Sequence, residues 1–253
     1  MTYCLAMRLE DGLVFLADTR TNAGVDNVST YRKQYVFAPG GRRLFVLQSA
    51  GNLATTHEVV DIIHRDLAAP GDHESLATVK HLFEAALYIG AISREVARAH
   101  GAANGGVDMT ATFLLGGQVE DDPADVVLIY PQGNFIHASE DLPFLQIGEA
   151  KYGKSLLEMA VRSHVDLPSA TKIALGSMMS TARANLSVGP PYDLGVYIPG
   201  SYQLDQMRIE ADAPILADMQ ALWARVASEA LAQLPTTPYD SLTPASPEVP
   251  HIV

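Results

Sequence analysis

The chain opens with two apolar stretches separated by a polar turn. The first is TYCLAMRL, in which side chains alternate, and the second is GLVFLAD, which is more continuously apolar. The Asp11-Gly12 pair between them is a strong hairpin signal. After a polar stretch, TRTNAGVDNVST, come KQYVFAP and RRLFVLQSAG, which predict a second hairpin turning at Pro39-Gly40-Gly41. The first fifty residues are therefore predicted to form sheet.

The apolar period then changes from that of a strand to that of a helix. Residues 52–67 carry a helical stripe that includes Leu53, Val59 and Ile63, and a longer stripe predicts a second helix from Ser75 to His100. Both stripes are broad, so the two helices are expected to pack together against a sheet.

The remaining elements repeat this alternation of strands and helices. Four short strands are predicted in MTATFLLGG, ADVVLIYPQ, NFIHAS and FLQIG. Two helices follow, one over 150–164 and one from Ser169, a plausible N-cap after Pro168, to about Ala184. Two more strands, DLGVYIPG and QMRIEA, precede a last helix over 214–234.

Blocks of strands that alternate with pairs of helices argue against a doubly wound parallel sheet. They favour an α+β fold, a four-layer αββα sandwich in which two antiparallel sheets are stacked and each is covered by a helix layer. No composition break divides residues 1–234, so they are predicted to form one domain. Residues 235–253 contain five prolines and no periodicity, which predicts a disordered tail or an extended assembly arm.

Composition narrows the functional classes. No apolar run approaches the roughly 18 residues that would cross a bilayer, and the N-terminus lacks the pattern of a signal peptide, so a soluble cytoplasmic protein with no membrane partner is expected. The formal charge is −12 and the 17 basic residues are scattered, which disfavours a nucleic-acid partner. The one cysteine, Cys4, rules out an intramolecular disulfide and a cysteine-rich metal site.

Thr2 is the first candidate for chemistry. Removal of Met1 would give one residue both a hydroxyl and a free α-amine, and an amine with a pKa near 7.7–8.0 can serve as the base that a threonine nucleophile needs. Taken alone, Thr2 is equally an ordinary residue at the start of an edge strand.

The surrounding residues resemble the start of a proteasome β-subunit, a member of the N-terminal-nucleophile hydrolases. The stretch TYCLAMRLEDGLVFLADTRTN, followed by YRK, is similar to the family pattern, and the resemblance places the nucleophile at Thr2, a supporting aspartate at Asp18 and a lysine at Lys33. The segment QSAGN resembles the turn into the first helix, which implies that the Gly51 N–H forms the oxyanion hole. The MTYC start and the ADTRTNAGVD and ANLSVGPP segments look closest to the bacterial Anbu, or ancestral β-subunit, group.

Two departures from the proteasome pattern accompany this resemblance. Where the family has a Gly-Ser-Gly motif, this chain has IGEAKYG, which places Glu149 at the serine position. Where the family has an aspartate before a serine, ANLSVG keeps Ser187 as a possible catalytic helper, while Ala184 replaces the aspartate and Asn185 lies next to it.

The resemblance implies a threonine peptidase that acts by acyl transfer to Thr2, needs no cofactor or metal, and assembles into a homo-oligomeric ring or open-ring spiral. Two alternatives stay open at this point. One is an amidohydrolase or acyl-transfer enzyme that acts on a small amide or a modified peptide, and the other is a non-catalytic assembly subunit. The sequence leaves the natural substrate and the existence of an ATPase partner undetermined.

Overall fold

In the computed structural model, the described residues are 1–22, 28–69, 71, 74–103, 105, 107–237 and 239. The chain divides into two compact units, residues 1–212 and 213–253. None of the helices in the described residues is long and apolar enough to cross a membrane. The expectation of a domain that ends at residue 234 with a separate tail from 235 stays a prediction, and most of that tail lies outside the described residues.

The elements of the first unit follow one another in this order: β1 (Tyr3–Leu9), β2 (Gly12–Asp18), β3 (Arg20–Asn22), β4 (Val28–Thr30), β5 (Gln34–Phe37), β6 (Arg43–Gly51), α1 (Leu53–Ala68), α2 (Leu82–Ala103), β7 (Ala111–Val119), β8 (Asp125–Ile129), β9 (Phe135–His137), β10 (Phe144–Gly148), α3 (Ala150–Ala160), α4 (Leu167–Ala184), β11 (Tyr192–Tyr197) and β12 (Leu204–Ile209). The second unit contains α5 (Pro214–Ala232).

Two five-stranded antiparallel sheets form the centre of the first unit. The first sheet has the order β10-β1-β2-β11-β12 and the second has the order β5-β6-β7-β8-β9. Side chains from the facing sides of both sheets form one core, to which β1 contributes Cys4 and Ala6 and β6 contributes Val46. Because successive side chains of a strand point to opposite faces, Tyr3 and Leu5 of β1 face away from this core.

Helices cover the outer face of each sheet. α1 and α2 pack against the second sheet and bury residues such as Ile63 and Ile89. α3 and α4 cover the first sheet, where the Tyr3 hydroxyl lies 2.7 Å from the Ser177 hydroxyl of α4. The predicted α+β sandwich with two antiparallel sheets is confirmed.

Two short strands that the sequence pattern does not predict, β3 and β4, follow β2. They pair antiparallel with Arg20 opposite Thr30 and Thr21 opposite Ser29. Three-residue strands made mostly of polar residues carry no apolar alternation that a sequence pattern can detect.

The second helix begins seven residues later than predicted. Residues 75–78 form a turn in which the Ser75 N–H donates to the Thr78 hydroxyl and the Val79 N–H donates to the Ser75 carbonyl. Glu84, in the first turn of the helix, accepts the Lys80 N–H at 2.6 Å. The apolar stripe misled the prediction because Leu76 and Val79 are buried in the turn just as they would be in a helix.

The third and fourth helices also differ from prediction at one end each. α3 ends at Ala160, four residues before the predicted end. α4 is capped by Asp166, not Ser169: its Oδ1 accepts the Ser169 N–H at 2.7 Å. Pro168 lies inside the first turn, where its missing N–H costs nothing.

Candidate active site

The β1–β2 hairpin brings Thr2 beside Asp18. Cys4 is paired with Ala17 across the hairpin, so Tyr3 faces Asp18 and the Tyr3 N–H donates to Asp18 Oδ1 at 3.0 Å. The alternation of β1 places Thr2 on the same side as Cys4, whose thiol approaches the Ser49 carbonyl of β6. Thr2 therefore faces the core between the sheets, at the end of β6.

Lys33 completes a buried ion pair at this point. It immediately precedes β5 of the second sheet, and its ammonium lies 2.7 Å from Asp18 Oδ1, at the end of β2 in the first sheet. The same ammonium donates to the Arg20 carbonyl at 2.6 Å and to the Met1 carbonyl at 3.5 Å. The lysine is thus fixed between the two sheets and directed at the peptide bond that precedes Thr2.

Asp18 is completely buried, and hydrogen bonds stabilise its carboxylate there. Burial raises the pKa of Asp18, while the Lys33 ammonium and the N–H groups of Tyr3 and Gly189 oppose the rise by stabilising the carboxylate. A buried charge needs such partners, because an unpaired one would cost several kcal/mol. The aspartate is therefore a fixed support for the lysine.

The backbone of Thr2 is fixed from the opposite side by the start of α3. The Glu149 N–H donates to the Thr2 carbonyl at 2.7 Å. Gly148 has a φ of +81°, and a Cβ at this position would overlap the Thr2 carbonyl oxygen, so only glycine lets the chain approach so closely. The Glu149 side chain is 11% exposed and lies 4.0 Å from the Lys151 ammonium.

Tyr3 anchors the strand on its other face. Its hydroxyl contacts Ser177 and accepts a hydrogen bond from the Gln146 amide, and burial raises the pKa of Tyr3 to about 12. The residue that follows Thr2 is thus locked into the helix layer, which restricts how far Thr2 can move.

Gly51 forms part of a cleft beside Thr2. It ends β6 with a φ of +113°, and a Cβ there would come within 2.6 Å of the Thr110 carbonyl, so the position requires glycine. The cleft has a volume of about 440 Å³, and Gly148 is also part of its lining. Its full lining is Ala50, Gly51, Asn52, Asp108, Thr110, Thr112 and Gly148. Gly148, whose Cα lies against the Thr2 carbonyl, connects this cleft to the Thr2 backbone.

The loop between α4 and β11 reaches the site, but through Gly189 rather than Ser187. The Gly189 N–H donates to Asp18 Oδ2 at 3.3 Å. The Ser187 N–H donates to the Asn185 side-chain oxygen at 2.9 Å, so Asn185 shapes the loop locally. The structure brings Asp18 and Lys33 into direct contact, and these two residues bond to Tyr3 and Met1, the neighbours of Thr2 in the chain.

The sequence-based prediction missed two contributors to the site, the Gly189 N–H that bonds Asp18 and the Arg20 carbonyl. Arg20 supplies a carbonyl to Lys33, and its guanidinium donates to the Leu186 carbonyl at 3.0 Å. The guanidinium also lies so close to Gly189 that a Cβ there would overlap it. The sequence identifies Arg20 only as part of the ADTRTNAGVD motif, because the role of a backbone carbonyl leaves no signal in a sequence.

The chain is similar to proteins of known structure. No protein-family model matches the chain, and no curated protein matches it. Solved structures do match. Anbu (ancestral beta-subunit) from Yersinia bercovieri is 43% identical, with 93% of this chain and 99% of that chain covered and a TM-score of 0.87. The Anbu (Gly-1) mutant from Hyphomicrobium sp. strain MC1 is 41% identical, with 94% and 99% covered and a TM-score of 0.87. The helical assembly of the Anbu complex from Pseudomonas aeruginosa is 40% identical, with 95% and 100% covered and a TM-score of 0.88.

Proposed function

Because the chain belongs to the Anbu (ancestral β-subunit) family, with its proteasome β-type fold, we propose that it is a threonine-type N-terminal-nucleophile hydrolase of peptide or small-amide substrates. The observation that carries the proposal is the buried Asp18–Lys33 pair, whose ammonium lies 3.5 Å from the carbonyl of the residue before Thr2. Asp18 and two backbone carbonyls hold the lysine at the peptide bond before Thr2, where the resemblance to proteasome β-subunits expects a catalytic lysine.

Removal of Met1 would create the base. The free α-amine of Thr2 takes the proton from its own hydroxyl, directly or through a water molecule. The nearby Lys33 ammonium stabilises the developing alkoxide and, by like-charge repulsion, favours the neutral amine. Asp18 balances the lysine charge and holds it in place.

The reaction then proceeds by acyl transfer. The Thr2 oxygen bonds to the substrate carbonyl carbon, and the oxyanion that forms is stabilised by the Gly51 N–H at the rim of the cleft. The carbon–nitrogen bond breaks, the leaving amine takes the proton from the α-amine, and an ester remains on Thr2. Water, deprotonated by the α-amine, hydrolyses the ester and restores the hydroxyl.

Intact mass of the native protein, with and without an epoxyketone or β-lactone probe, tests this function. We expect loss of Met1 and one adduct that maps to Thr2. Thr2→Ser keeps both hydroxyl and amine and should retain the adduct, whereas Thr2→Ala should lose both the adduct and hydrolysis. A correctly processed protein that forms no adduct and hydrolyses no peptide or amide substrate would overturn the proposal.

We also propose that the chain assembles with copies of itself into a ring or open-ring spiral. The support is the relative from Pseudomonas aeruginosa, whose structure is described as a helical assembly. Light scattering at micromolar concentration tests it, and a monomeric mass would contradict it.

A further inference from the structure

The cleft of about 440 Å³ beside Thr2 lies on the side of that residue away from Lys33. In the first sheet, β1 has β2 on one side, where Asp18 ends the strand, and β10 on the other, where Gly148 ends it. In the second sheet, β6 lies between β5, which Lys33 precedes, and β7, whose residue Thr112 lines the cleft. A substrate bound across Thr2 therefore has one part near the ion pair and the other part in the cleft.

Asp108 gives this cleft a negative charge. It is the one charged residue in the lining formed by the described part of the chain. Its Oδ1 accepts the Thr110 hydroxyl at 2.7 Å and the Thr110 N–H at 2.9 Å. These two hydrogen bonds lower the pKa of Asp108, so the carboxyl stays ionised at neutral pH. Within the described ranges no basic side chain pairs with it, and Oδ2 is free to bind a ligand.

The segment that carries Asp108 is fixed against the start of α1. The Thr55 hydroxyl donates to the Met109 carbonyl at 2.6 Å, and the Asn52 N–H donates to the Thr110 carbonyl at 2.9 Å. The Asn52 side chain in turn accepts the Thr55 N–H and so caps the helix. The carboxylate is therefore held at a defined place beside the end of β6.

The hydroxyl of Thr112 offers the cleft a second hydrogen-bond acceptor. Thr112 lies on the same face of β7 as Leu114, which packs in the core between the sheets. No other described residue forms a hydrogen bond with this hydroxyl. Ammonium and guanidinium groups have only donors, and Asp108 and Thr112 supply acceptors for them.

We propose that the cleft binds a positively charged group of the substrate, namely a lysine or arginine side chain or a free amine close to the scissile bond. This inference rests on the hydrolase function proposed above and names the substrate class of the same site. A positive group gains an ion pair with Asp108, whereas a carboxylate is repelled. An apolar side chain gains little, because the rest of the lining consists of small residues and polar groups.

Three internally quenched peptides that differ in one residue test the proposal. The variable residue is lysine, N-acetyllysine or glutamate, and it is placed directly before or directly after the bond at which mass spectrometry maps the cleavage. We expect kcat/KM to be about two- to five-fold higher for lysine than for its neutral acetylated form, as for an exposed ion pair, and lowest for glutamate.

The position at which this preference appears shows whether the cleft receives the acyl part or the leaving part of the substrate. Equal kcat/KM values for the three peptides at both positions would overturn the proposal.

Variants of Asp108 assign the preference to the cleft. Asp108→Asn keeps an oxygen that can accept the Thr110 N–H but removes the charge, so the preference for lysine should disappear. Asp108→Lys should reverse it in favour of glutamate. Asp11→Asn is the matched control, because it removes the same charge from the turn between β1 and β2, at the end of β1 opposite Thr2.

The control variant should keep the wild-type preference for lysine. A preference that survives Asp108→Lys, or that Asp11→Asn reduces as much as Asp108→Asn does, would refute the role of Asp108.

Binding to Thr2→Ala protein separates this inference from the proposed hydrolysis. The same peptides with a single fluorescent label are followed by anisotropy, and lysine should again bind more tightly than glutamate unless Asp108 is replaced. That result supports the cleft even if wild-type protein cleaves none of the peptides. Hydrolysis without any charge preference contradicts the cleft alone, and the absence of both binding and hydrolysis contradicts both proposals.

Discussion

Lys33 is one of the few charged side chains buried in the first unit, and its environment leads to a stability prediction. Lys33→Met leaves the Asp18 carboxyl buried without its ammonium, and we expect a loss of about 3–5 kcal/mol in the free energy of unfolding. Urea unfolding at a fixed protein concentration measures it. Lys154→Met makes the same substitution in an exposed i,i+4 pair with Glu158 and should cost about 0.3–0.5 kcal/mol. Similar losses for both variants would mean that the buried pair does not stabilise the fold.

Gly148 and Gly200 offer a second comparison, because both have a φ of +81° but different surroundings. An added Cβ at Gly148 overlaps the Thr2 carbonyl, whereas at Gly200 it meets nothing within 4 Å. Gly200→Ala should therefore cost only the backbone strain, about 1 kcal/mol, and leave the Thr2 adduct intact. Gly148→Ala should cost more and reduce the rate of adduct formation, because Thr2 must shift.

These two variants are to be compared by urea unfolding and by the rate of probe adduct formation. If Gly148→Ala reacts with the probe as fast as Gly200→Ala does, the close contact between Gly148 and Thr2 has no influence on the nucleophile.

For individual residues, the sequence predicts which side chains belong to the candidate site better than it predicts which backbone groups bond to them. Thr2, Asp18 and Lys33 could be selected because their types and positions match the proteasome β-subunit pattern that the sequence resembles. The Gly189 N–H and the Arg20 carbonyl could not be, because every residue has these groups and only the folded chain shows which of them is used. The catalytic roles of Thr2, Asp18, Lys33, Gly51 and Ser187 stay predictions.

The N-cap of α4 makes the stability of the fold depend on pH. The Ser169 N–H bond lowers the pKa of Asp166 below its ordinary value. A carboxyl whose pKa is depressed in the folded state stabilises the fold above its unfolded pKa, near 3.9, and loses that effect as the pH falls through the folded value. Asp166→Ala should therefore destabilise the protein at pH 7, and the difference should shrink below pH 4.

Urea midpoints measured at several pH values test the effect of this cap. Asp166→Asn is the matched control, because an asparagine side chain also caps helices but does not titrate. It should preserve most of the stability at pH 7 and should not show the loss at low pH that wild type shows. A wild-type cap that is insensitive to pH would contradict this role for Asp166.

The secondary-structure elements also show where the pattern of apolar residues no longer predicts the structure. Strands β1, β2, β6 and β7 could be predicted because long apolar runs between turn residues are distinctive. The start of α2 could not, because Leu76 and Val79 are apolar at helical spacing and the turn at 75–78 depends on hydrogen bonds of Ser75 and Thr78. Periodicity reports which side chains are buried, and the same burial is compatible with a turn and with a helix.

For the whole molecule, charge sets the conditions for assembly. Each copy carries a formal charge of −12, so copies repel one another at low salt. Raising the ionic strength from about 0.01 M to about 0.15 M shortens the screening length from about 30 Å to about 8 Å. Self-association should therefore become stronger, as measured by light scattering. Sucrose at equal osmolality is the control, and association that weakens with salt would point to ion pairs as its main source.

The strand order of the first sheet has a consequence for synthesis and folding. β1 and β2, the first strands to leave the ribosome, end at the centre of the sheet, between β10 and β11. β1 pairs with residues 144–148, and Asp18 accepts the Gly189 N–H, so the first hairpin gains these contacts only after residues far along the chain have been translated. Such distant pairings are slow to form. A nascent chain therefore cannot complete the surroundings of β1 and β2 until nearly all of the first unit has been translated, so the two central strands of this sheet are among the last to gain all their neighbours.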